Sequence, residues 1–137
     1  MKDHRKIAGR IVSGIKQGAF FTQLDWVQEQ CLEKLGFKPF PGTLNLEIPD
    51  ESMTIIEALQ SQEGMELVPP DVNFCSGFVF PITVEGIPGA IVVPAADVRV
   101  HGNNIIEIIS HLGLKDALGV EDGDWISLTI YGLGPRN

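Results

Sequence analysis

The sequence predicts a mainly β protein that closes into one small barrel and carries a few short helices. About six short segments rich in Ile, Val, Leu and Phe are separated by turn residues, whereas helical spacing recurs in only a few places. A closed barrel suits such strands because closure removes the edges that would otherwise pair with other molecules. Of the 137 residues 44% are hydrophobic, so we expect residues 1–137 to form a single domain around one core.

The N-terminal part of the chain predicts a strand, a loop and a helix. Residues 7–13 read as a strand, and a glycine-punctuated loop follows over residues 13–21. Asp25 and Gln28 resemble the capping box of a helix start, and Gly36 stands where a helix stop is expected. The apolar residues between them recur at helical spacing: Val27, Cys31 and Leu35. We therefore expect a short amphipathic helix here.

The segment KPFPGTLNLEIP, residues 38–49, alternates strictly between apolar and polar side chains. Its apolar face is Leu44, Leu46 and Ile48, and its polar face is Thr43, Asn45 and Glu47. A core explains the apolar face of such a strand. The polar face offers neutral oxygens at fixed positions after the stiff Pro41-Gly42 turn, which suits a ligand or a hard metal ion. The alternative is that Thr43 and Asn45 merely decorate a strand edge.

The rest of the chain adds further strands and two short helices. In order, the predicted elements are a helix over 52–59, a loop at PPDVN (69–73), strands 77–84 and 87–94 joined by a Glu85-Gly86 turn, a strand over 104–110, a helical piece over 112–119, a turn over 120–124 and a last strand over 125–132. Prolines inside the paired strands are expected to restrict parts of them to edges or bulges.

Composition and charge limit the possible partners. The formal net charge of −8 argues against a broad nucleic-acid contact, although a single nucleotide needs only local N–H donors, one or two cations and a divalent ion. No 18-residue apolar stretch and no signal-peptide pattern are present, so we expect a cytoplasmic protein without a membrane partner. Cys31 and Cys75 form no metal-spaced motif, and we expect them to be buried small apolar residues.

Two places in the sequence could carry chemistry besides the polar strand face. Gly14 and Gly18 bracket a segment whose backbone N–H groups could meet phosphate oxygens, although a plain hairpin turn is the alternative. Glu107 is flanked by four isoleucines and shares a strand face with Ile105 and Ile109. Partial desolvation would raise its pKa and suit it to bind or deprotonate a hydroxyl. The alternative is a glutamate that reaches water at a barrel mouth.

Two further motifs are less specific. His101 precedes the strand that carries Glu107 and could be a ligand contact or a turn residue. The run Asp122-Gly123-Asp124 looks like a fragment of a calcium loop, but the remaining ligand positions are missing, so we interpret it as a hairpin turn.

Taken together, five segments resemble the archaeal-type CTP-dependent riboflavin kinase family: GRIVSGIKQGAFF, LGFKPFPGTLNLEI, GAIVVP, VHGNNIIEIIS and LGLKDALGVEDGDWISLTI. The match spans residues 7 to about 131, and PGTLNL followed by IIEII and DGD is more specific than any single motif. The resemblance implies a cradle-loop, swapped-hairpin-type β-barrel that transfers the γ-phosphoryl group of CTP to riboflavin, giving FMN and CDP. The partners implied are these ligands alone, bound by a monomer.

The resemblance also assigns site residues. Thr43 and Asn45 fall on the family's magnesium ligands, which fits the preference of Mg²⁺ for oxygens. Glu107 falls on a flavin-contacting glutamate and is our candidate catalytic residue, while Arg99 stands where the family has a flavin-contacting threonine. The implied nucleotide-binding residues are Ile15, Lys16, Gln17, Gly18, Ala19 and Phe20, with a second segment at Leu112, Gly113, Leu114 and Lys115.

The chain departs from the family pattern at some of these positions. The family loop usually has glycine in place of Lys16 and an acidic residue in place of Gln17, and arginine is usual at Lys115. The segment before His101 has Arg99-Val100 where the family typically has Thr-Tyr. The alternatives to the kinase are a non-catalytic flavin- or nucleotide-binding relative and a kinase with an altered donor or acceptor.

Overall fold

The computed structural model describes residues 4–13, 22–62, 64–70, 77–94 and 104–132. Within these residues the elements are, in chain order, β1 (His4–Val12), α1 (Asp25–Leu35), β2 (Leu44–Glu47), a 3₁₀ turn (Asp50–Ser52), α2 (Met53–Gln60), β3 (Met65–Leu67), β4 (Gly77–Val84), β5 (Ile87–Pro94), β6 (Ile105–Ser110), α3 (Leu114–Leu118) and β7 (Trp125–Tyr131). Strands dominate, and the helices are short. The predicted mainly β class is confirmed.

The strands close into a barrel. The order in the sheet is β3-β4-β5-β6-β2-β1-β7, and β7 also pairs with β4, so that six antiparallel strands form a ring with β3 added beside β4. The β4–β7 pairing runs from Ile82 opposite Ile130 to Val84 opposite Leu128. Every strand of the ring therefore has a hydrogen-bonded neighbour on both sides over part of its length, as the prediction of a closed barrel requires.

The barrel interior holds the main core. Register explains which residues reach it: Leu46 on β2 lies opposite Ile11 on β1 and opposite Ile106 on β6. All three side chains are buried in the central cluster. Because strand residues alternate between faces, Asn45 and Glu107 must lie on the outer face of the same strands. The core thus decides which polar groups face outward.

A second, smaller cluster lies on the outer face of the sheet beneath α1. Its buried members are Val27, Cys31, Leu67, Val79, Ala90 and Ile109. Cys31 is a free, fully buried cysteine, and its burial raises the pKa of the thiol to about 11. The prediction that Cys31 is a buried apolar residue is confirmed, whereas Cys75 lies outside the described residues.

Helix α1 has the predicted bounds but not the predicted cap. The N-cap is Leu24, which makes no side-chain capping hydrogen bond, and Asp25 is the first helical residue. The predicted capping box is therefore wrong. The Gln28 amide instead donates from Nε2 to the carbonyl oxygens of Thr22 (2.5 Å) and Pro39 (2.8 Å). Gly36 ends the helix as predicted, in the left-handed region with φ 85°.

The β4–β5 hairpin follows the sequence closely. Glu85 and Gly86 both have positive φ, 49° and 84°, as a two-residue hairpin turn requires. Pro81 lies within β4, opposite Ala90. On its other side β4 pairs with β3 up to Val79 and with β7 from Ile82 onward. Pro81 therefore sits at a gap in that second ladder, where the missing N–H costs no strand pairing.

The remaining elements differ from the predictions mostly at their ends. Strand β1 begins at His4 rather than at residue 7, because His4 pairs with Tyr131 at the far end of β7. The Asp122-Gly123-Asp124 turn joins α3 to β7, so the prediction of a hairpin turn is wrong; a helix precedes it. No helix among the described residues is long and apolar enough to cross a membrane.

Candidate functional site

The polar face of β2 lies on the outside of the barrel. Thr43, directly before β2, and Asn45 are both partly exposed, while Leu44 and Leu46 between and after them are buried. Thr43 and Asn45 therefore share the outer side of this segment, as their spacing predicts. Asn45 lies opposite Val12 of β1 and opposite Glu107 of β6. Directly opposed residues have Cβ atoms about 4.5–5.5 Å apart, so the amide and the carboxylate are neighbours.

Glu107 is exposed on this outer face. It pairs in register with Asn45 on one side and with Val92 of β5 on the other. Ile109, on the same face of β6, is buried beneath α1, whereas Ile105 is 42% exposed. The prediction that Glu107 is partly desolvated is wrong, because the cover that α1 provides over Ile109 does not extend to Glu107. The carboxylate faces water beside Asn45.

A cleft of about 290 Å³ opens next to Thr43. One wall comes from the turn before β2, and the other from the end of β6 and the start of α3. Its lining residues are Phe40, Gly42, Thr43, Leu44, Ile108, Ser110, Leu112, Gly113, Leu114, Lys115 and Asp116. The structure therefore brings Thr43 together with all four residues of the predicted second nucleotide segment.

Hydrogen bonds fix the turn that carries Thr43. The Phe40 N–H donates to the Ser110 carbonyl oxygen at 2.7 Å, and the Gly42 N–H donates to Thr22 Oγ1 at 2.8 Å. Thr22 is fully buried, so this acceptor is held in place by its surroundings. Gly42 has φ 108°, a conformation that favours glycine. The wall of the cleft beside Thr43 is thus anchored before any ligand binds.

The two walls of the cleft meet where Phe40 packs closely against Gly113. A Cβ added to Gly113 would lie 3.0 Å from Cε2 and 3.2 Å from Cζ of the Phe40 ring. The ring covers the glycine backbone at the point where α3 begins, yet Phe40 is still 49% exposed. The Phe40 ring and the Gly113 backbone therefore both border the cleft.

The cation of the cleft is held by an ion pair. Lys115 Nζ lies 2.6 Å from Asp122 Oδ1, and Ser13 Oγ donates to Asp122 Oδ2 at 2.5 Å. Hydrogen bonds from Lys115 and Ser13 hold the pKa of the Asp122 carboxyl below its usual value. Ser13 directly precedes Gly14 in the sequence. The Asp122 carboxylate therefore bonds both to Lys115, in the predicted second nucleotide segment, and to Ser13, directly before the predicted glycine loop.

A second ion pair lies one row further along the outer face. Arg10 Nη2 of β1 is 2.6 Å from Glu47 Oε1 of β2, and both side chains are nearly half exposed. Glu47 lies opposite Ile105 of β6. Exposed pairs of this kind contribute little to stability, about 0–1 kcal/mol. Its effect on the site is that Glu47, the third polar residue on the outer face of β2, is already paired with Arg10.

Within the described residues no group of three or more His, Cys, Asp or Glu side chains is placed to hold a metal ion. Besides Glu47, which is paired with Arg10, the oxygen donors on the outer face of β2 are a hydroxyl and an amide, Thr43 and Asn45, with the Glu107 carboxylate opposite Asn45. Hydroxyl and amide oxygens are ligands that Mg²⁺ and Ca²⁺ accept. The donor set fits a hard divalent ion whose remaining ligands come from water and from a bound phosphate.

Several predicted site residues lie outside the described residues. They are Ile15, Lys16, Gln17, Gly18, Ala19, Phe20, Arg99 and His101. Conversely, sequence reasoning did not single out Phe40 or assign a role to Asp122. Phe40 had a local signal, since it directly precedes the Pro41-Gly42 turn. The local pattern around Asp122 predicted only a turn, because the partners of its side chain are 7 and 109 residues away along the chain.

The sequence of the chain is similar to that of known proteins. Residues 11–130 match the model of the CTP-dependent riboflavin kinase family, described as a domain of unknown function, DUF120. Three similar proteins are each named riboflavin kinase: those of Archaeoglobus fulgidus (38% identical over 129 residues), Pyrobaculum arsenaticum (33% over 129) and Methanosarcina acetivorans (34% over 127). These alignments cover 91%, 91% and 90% of this chain.

The share of the relatives that is matched is smaller. The alignments cover 54%, 60% and 53% of those three proteins, so the chain spans little more than half of their length. The region that matches the family model runs from the end of β1 through most of β7, and it includes the polar face of β2, Glu107 and the cleft beside Lys115. On this evidence the chain belongs to the CTP-dependent riboflavin kinase family.

Proposed function

We propose that this protein is a CTP-dependent riboflavin kinase, which transfers the γ-phosphoryl group of CTP to riboflavin and releases FMN and CDP. The observation that carries the proposal is the position of Thr43. It lines the cleft that holds Lys115, and it lies on the same outer face as Asn45. A phosphate chain in the cleft would therefore end next to the one carboxylate, Glu107, that pairs with Asn45. We also propose that residues 1–137 make up one riboflavin-kinase-like barrel domain.

In this proposal the cleft binds the nucleotide. Lys115 supplies a cation, and the Phe40 ring packed on the Gly113 backbone supplies a rigid border of the cleft. Phosphoryl transfer demands mainly positioning and stabilisation of charge, so a rigid wall and a fixed cation account for much of what the protein must provide. The turn before β2 is rigid in this sense because Thr22 and Ser110 hold its backbone.

Thr43 and Asn45 would hold Mg²⁺ through their side-chain oxygens. When bound, Mg²⁺ neutralises charge on the phosphate oxygens of the donor. Neutral protein ligands suffice, because the nucleotide itself brings the negative charge. The partial exposure of both residues leaves space for ligand oxygens and water.

Glu107 would orient the acceptor. Its carboxylate is exposed, so it can accept a hydrogen bond from a ribityl hydroxyl of riboflavin. In the reaction the oxygen of the terminal hydroxyl forms a bond to the γ-phosphorus, and the bond from that phosphorus to the β,γ-bridging oxygen breaks. The hydroxyl proton passes to solvent water, while Glu107, which the β2–β6 pairing places beside Asn45, holds the hydroxyl in position.

The proposal is tested by direct assay. Purified protein is incubated with riboflavin, Mg²⁺ and one of CTP, ATP, GTP or UTP, and FMN and the nucleoside diphosphate are quantified by chromatography. We expect FMN and CDP in equal amounts with CTP, and none when the metal is removed with a chelator. Quenching of flavin fluorescence without any FMN would indicate a non-catalytic relative instead. FMN formed preferentially from another nucleotide would refute the CTP donor.

A further inference from the structure

The Asp122 carboxylate uses both of its oxygens to join two distant segments. Oδ1 accepts from Lys115 Nζ at 2.6 Å, and Oδ2 accepts from Ser13 Oγ at 2.5 Å. Ser13 is 109 residues away in the chain. The Lys115–Asp122 pair is about half exposed, like Arg10–Glu47, so its contribution to stability is small and its effect is local. One carboxylate nevertheless links the two side chains.

The turn that carries Asp122 is itself fixed. The Gly123 N–H donates to the Ile11 carbonyl oxygen at 2.8 Å, and the Ile11 N–H donates to the Asp124 carbonyl oxygen at 2.8 Å. Inside the turn the Glu121 N–H donates to Asp124 Oδ2 at 2.9 Å. Gly123 has φ 95°, which only glycine adopts without strain. Backbone hydrogen bonds thus anchor the turn to the end of β1, and they hold Asp122 in place independently of its side chain.

The orientation of Lys115 follows from this anchor. A lysine side chain has a flexible four-carbon stem and three N–H donors, so the ammonium of an unpaired lysine samples many positions. The bond to Asp122 uses one donor and restricts the ammonium, and two donors remain. Lys115 also lines the cleft beside Thr43, so a ligand bound there would lie next to this side chain.

We propose that Asp122 is a positioning residue for the nucleotide: it presets the Lys115 ammonium at the cleft and ties it to Ser13, directly before the glycine loop. This inference rests on the proposed function of the cleft as the CTP site. Asp122 does not contact the nucleotide in this scheme. It lowers the conformational cost of binding, because a side chain that is already fixed loses less freedom when a phosphate arrives.

The sign of the expected effect separates this role from simple electrostatics. Asp122 is an anion close to where a polyanionic ligand would bind. Its removal should therefore strengthen nucleotide binding if long-range charge alone matters. Loss of positioning predicts the opposite result. Glu121 is the matched control, because it is exposed in the same turn and its neutralisation changes the net charge equally.

The experiment measures binding of CDP with Mg²⁺ by calorimetry to the full chain and to three variants, Asp122→Asn, Glu121→Gln and Lys115→Met. We expect Asp122→Asn to weaken CDP about three- to tenfold, the range for fixing one long side chain in advance. Glu121→Gln should leave the affinity unchanged or tighten it slightly. Lys115→Met should weaken CDP at least as much as Asp122→Asn.

The decisive measurement is the double variant. If Asp122 acts through Lys115, adding Asp122→Asn to Lys115→Met changes CDP affinity less than twofold, because the group it positions is gone. A further loss equal to that of the single variant would overturn the proposal, and so would unchanged or tighter binding by Asp122→Asn alone. Should the parent protein fail to bind CDP or CTP at all, the proposed function itself would fall, and this inference with it.

Discussion

Two adjacent residues of β2 should separate folding from chemistry when each is replaced by alanine. Leu46 is fully buried in the barrel, between Ile11 and Ile106 on the neighbouring strands. A Cβ added to Gly9 would lie 3.2 Å from Leu46 Cβ, which shows how closely β1 and β2 pack here. Asn45 faces outward and is partly exposed. The two substitutions therefore remove side chains of similar size from opposite faces of one strand.

The expected cost of Leu46→Ala follows from its surroundings. Buried Leu→Ala substitutions cost about 2–5 kcal/mol, more where the site cannot collapse. The hydrogen-bonded ladders on both sides of Leu46 keep β1, β2 and β6 from closing the cavity that the substitution leaves. We therefore expect the free energy of unfolding to fall by about 3–4 kcal/mol. At roughly 4 °C per kcal/mol for a chain of this size, Tm should fall by about 12–16 °C. Asn45→Ala removes no core contact, and a change within about 0.5 kcal/mol, or roughly 2 °C, is expected.

The expected effect on activity has the opposite order. Changes to groups that only support metal ligands cost about 10–100-fold in metal affinity, so loss of a direct ligand should cost at least about tenfold. Asn45→Ala should therefore raise the Mg²⁺ concentration for half-maximal FMN formation at least about tenfold. Leu46→Ala, assayed well below its Tm, should leave this concentration nearly unchanged.

The assay combines thermal unfolding with FMN formation over a Mg²⁺ titration, for the parent and both variants. An unchanged rate of Asn45→Ala at limiting Mg²⁺ would refute the metal role. A Tm of Asn45→Ala as low as that of Leu46→Ala would show that Asn45 is needed for folding, and the reasoning from strand faces would fail.

Three other substitutions test separate parts of the structure. Glu107→Gln should weaken riboflavin binding about three- to tenfold while kcat falls less than tenfold, as flavin titration and initial rates would show; a fall of kcat by about 100-fold with unchanged flavin affinity would make Glu107 the general base instead. Gly89→Ala should lower the free energy of unfolding by about 2–3 kcal/mol, because the new Cβ would lie 2.8 Å from the Ile109 carbonyl oxygen; a loss below about 0.5 kcal/mol in urea unfolding would contradict this. Since burial raises the pKa of Cys31 to about 11, the neutral buried thiol stabilises the fold fully below the ordinary thiol pKa, and this contribution is lost as pH rises toward 11. The free energies of unfolding of the parent and of Cys31→Ala, measured in urea, should therefore become more similar as pH rises over that range. A constant difference between them would refute the assignment.

Local sequence patterns predicted the elements well. The alternation of Leu44 to Ile48 gave the orientation of β2, because a period of two permits only one assignment of faces once the leucines are inside. The Glu85-Gly86 turn gave the register of β4 and β5, since a two-residue turn fixes which residues oppose each other. The cap of α1 was misjudged, because Asp25 and Gln28 have the right spacing for a capping box while Gln28 bonds to Pro39 instead.

Contacts between distant segments had no such signal. Closure of the barrel depends on β7 pairing with both β1 and β4, and no residue pattern within β7 specifies either partner. The exposure of Glu107 depends on where α1 covers the sheet. The bridge from Asp122 to Ser13 and Lys115 likewise forms only because the turn before β7 docks onto the end of β1.

The boundary of the candidate site is set by helix α1. On the outer face of β6, Ile109 is fully buried beneath α1, and two residues earlier Glu107 is exposed. Two residues earlier again, Ile105 is an exposed apolar side chain on the same face. An open outer face that places a carboxylate between a buried and an exposed isoleucine suits a ligand with both hydroxyls and a flat aromatic ring system, as the proposed acceptor riboflavin has.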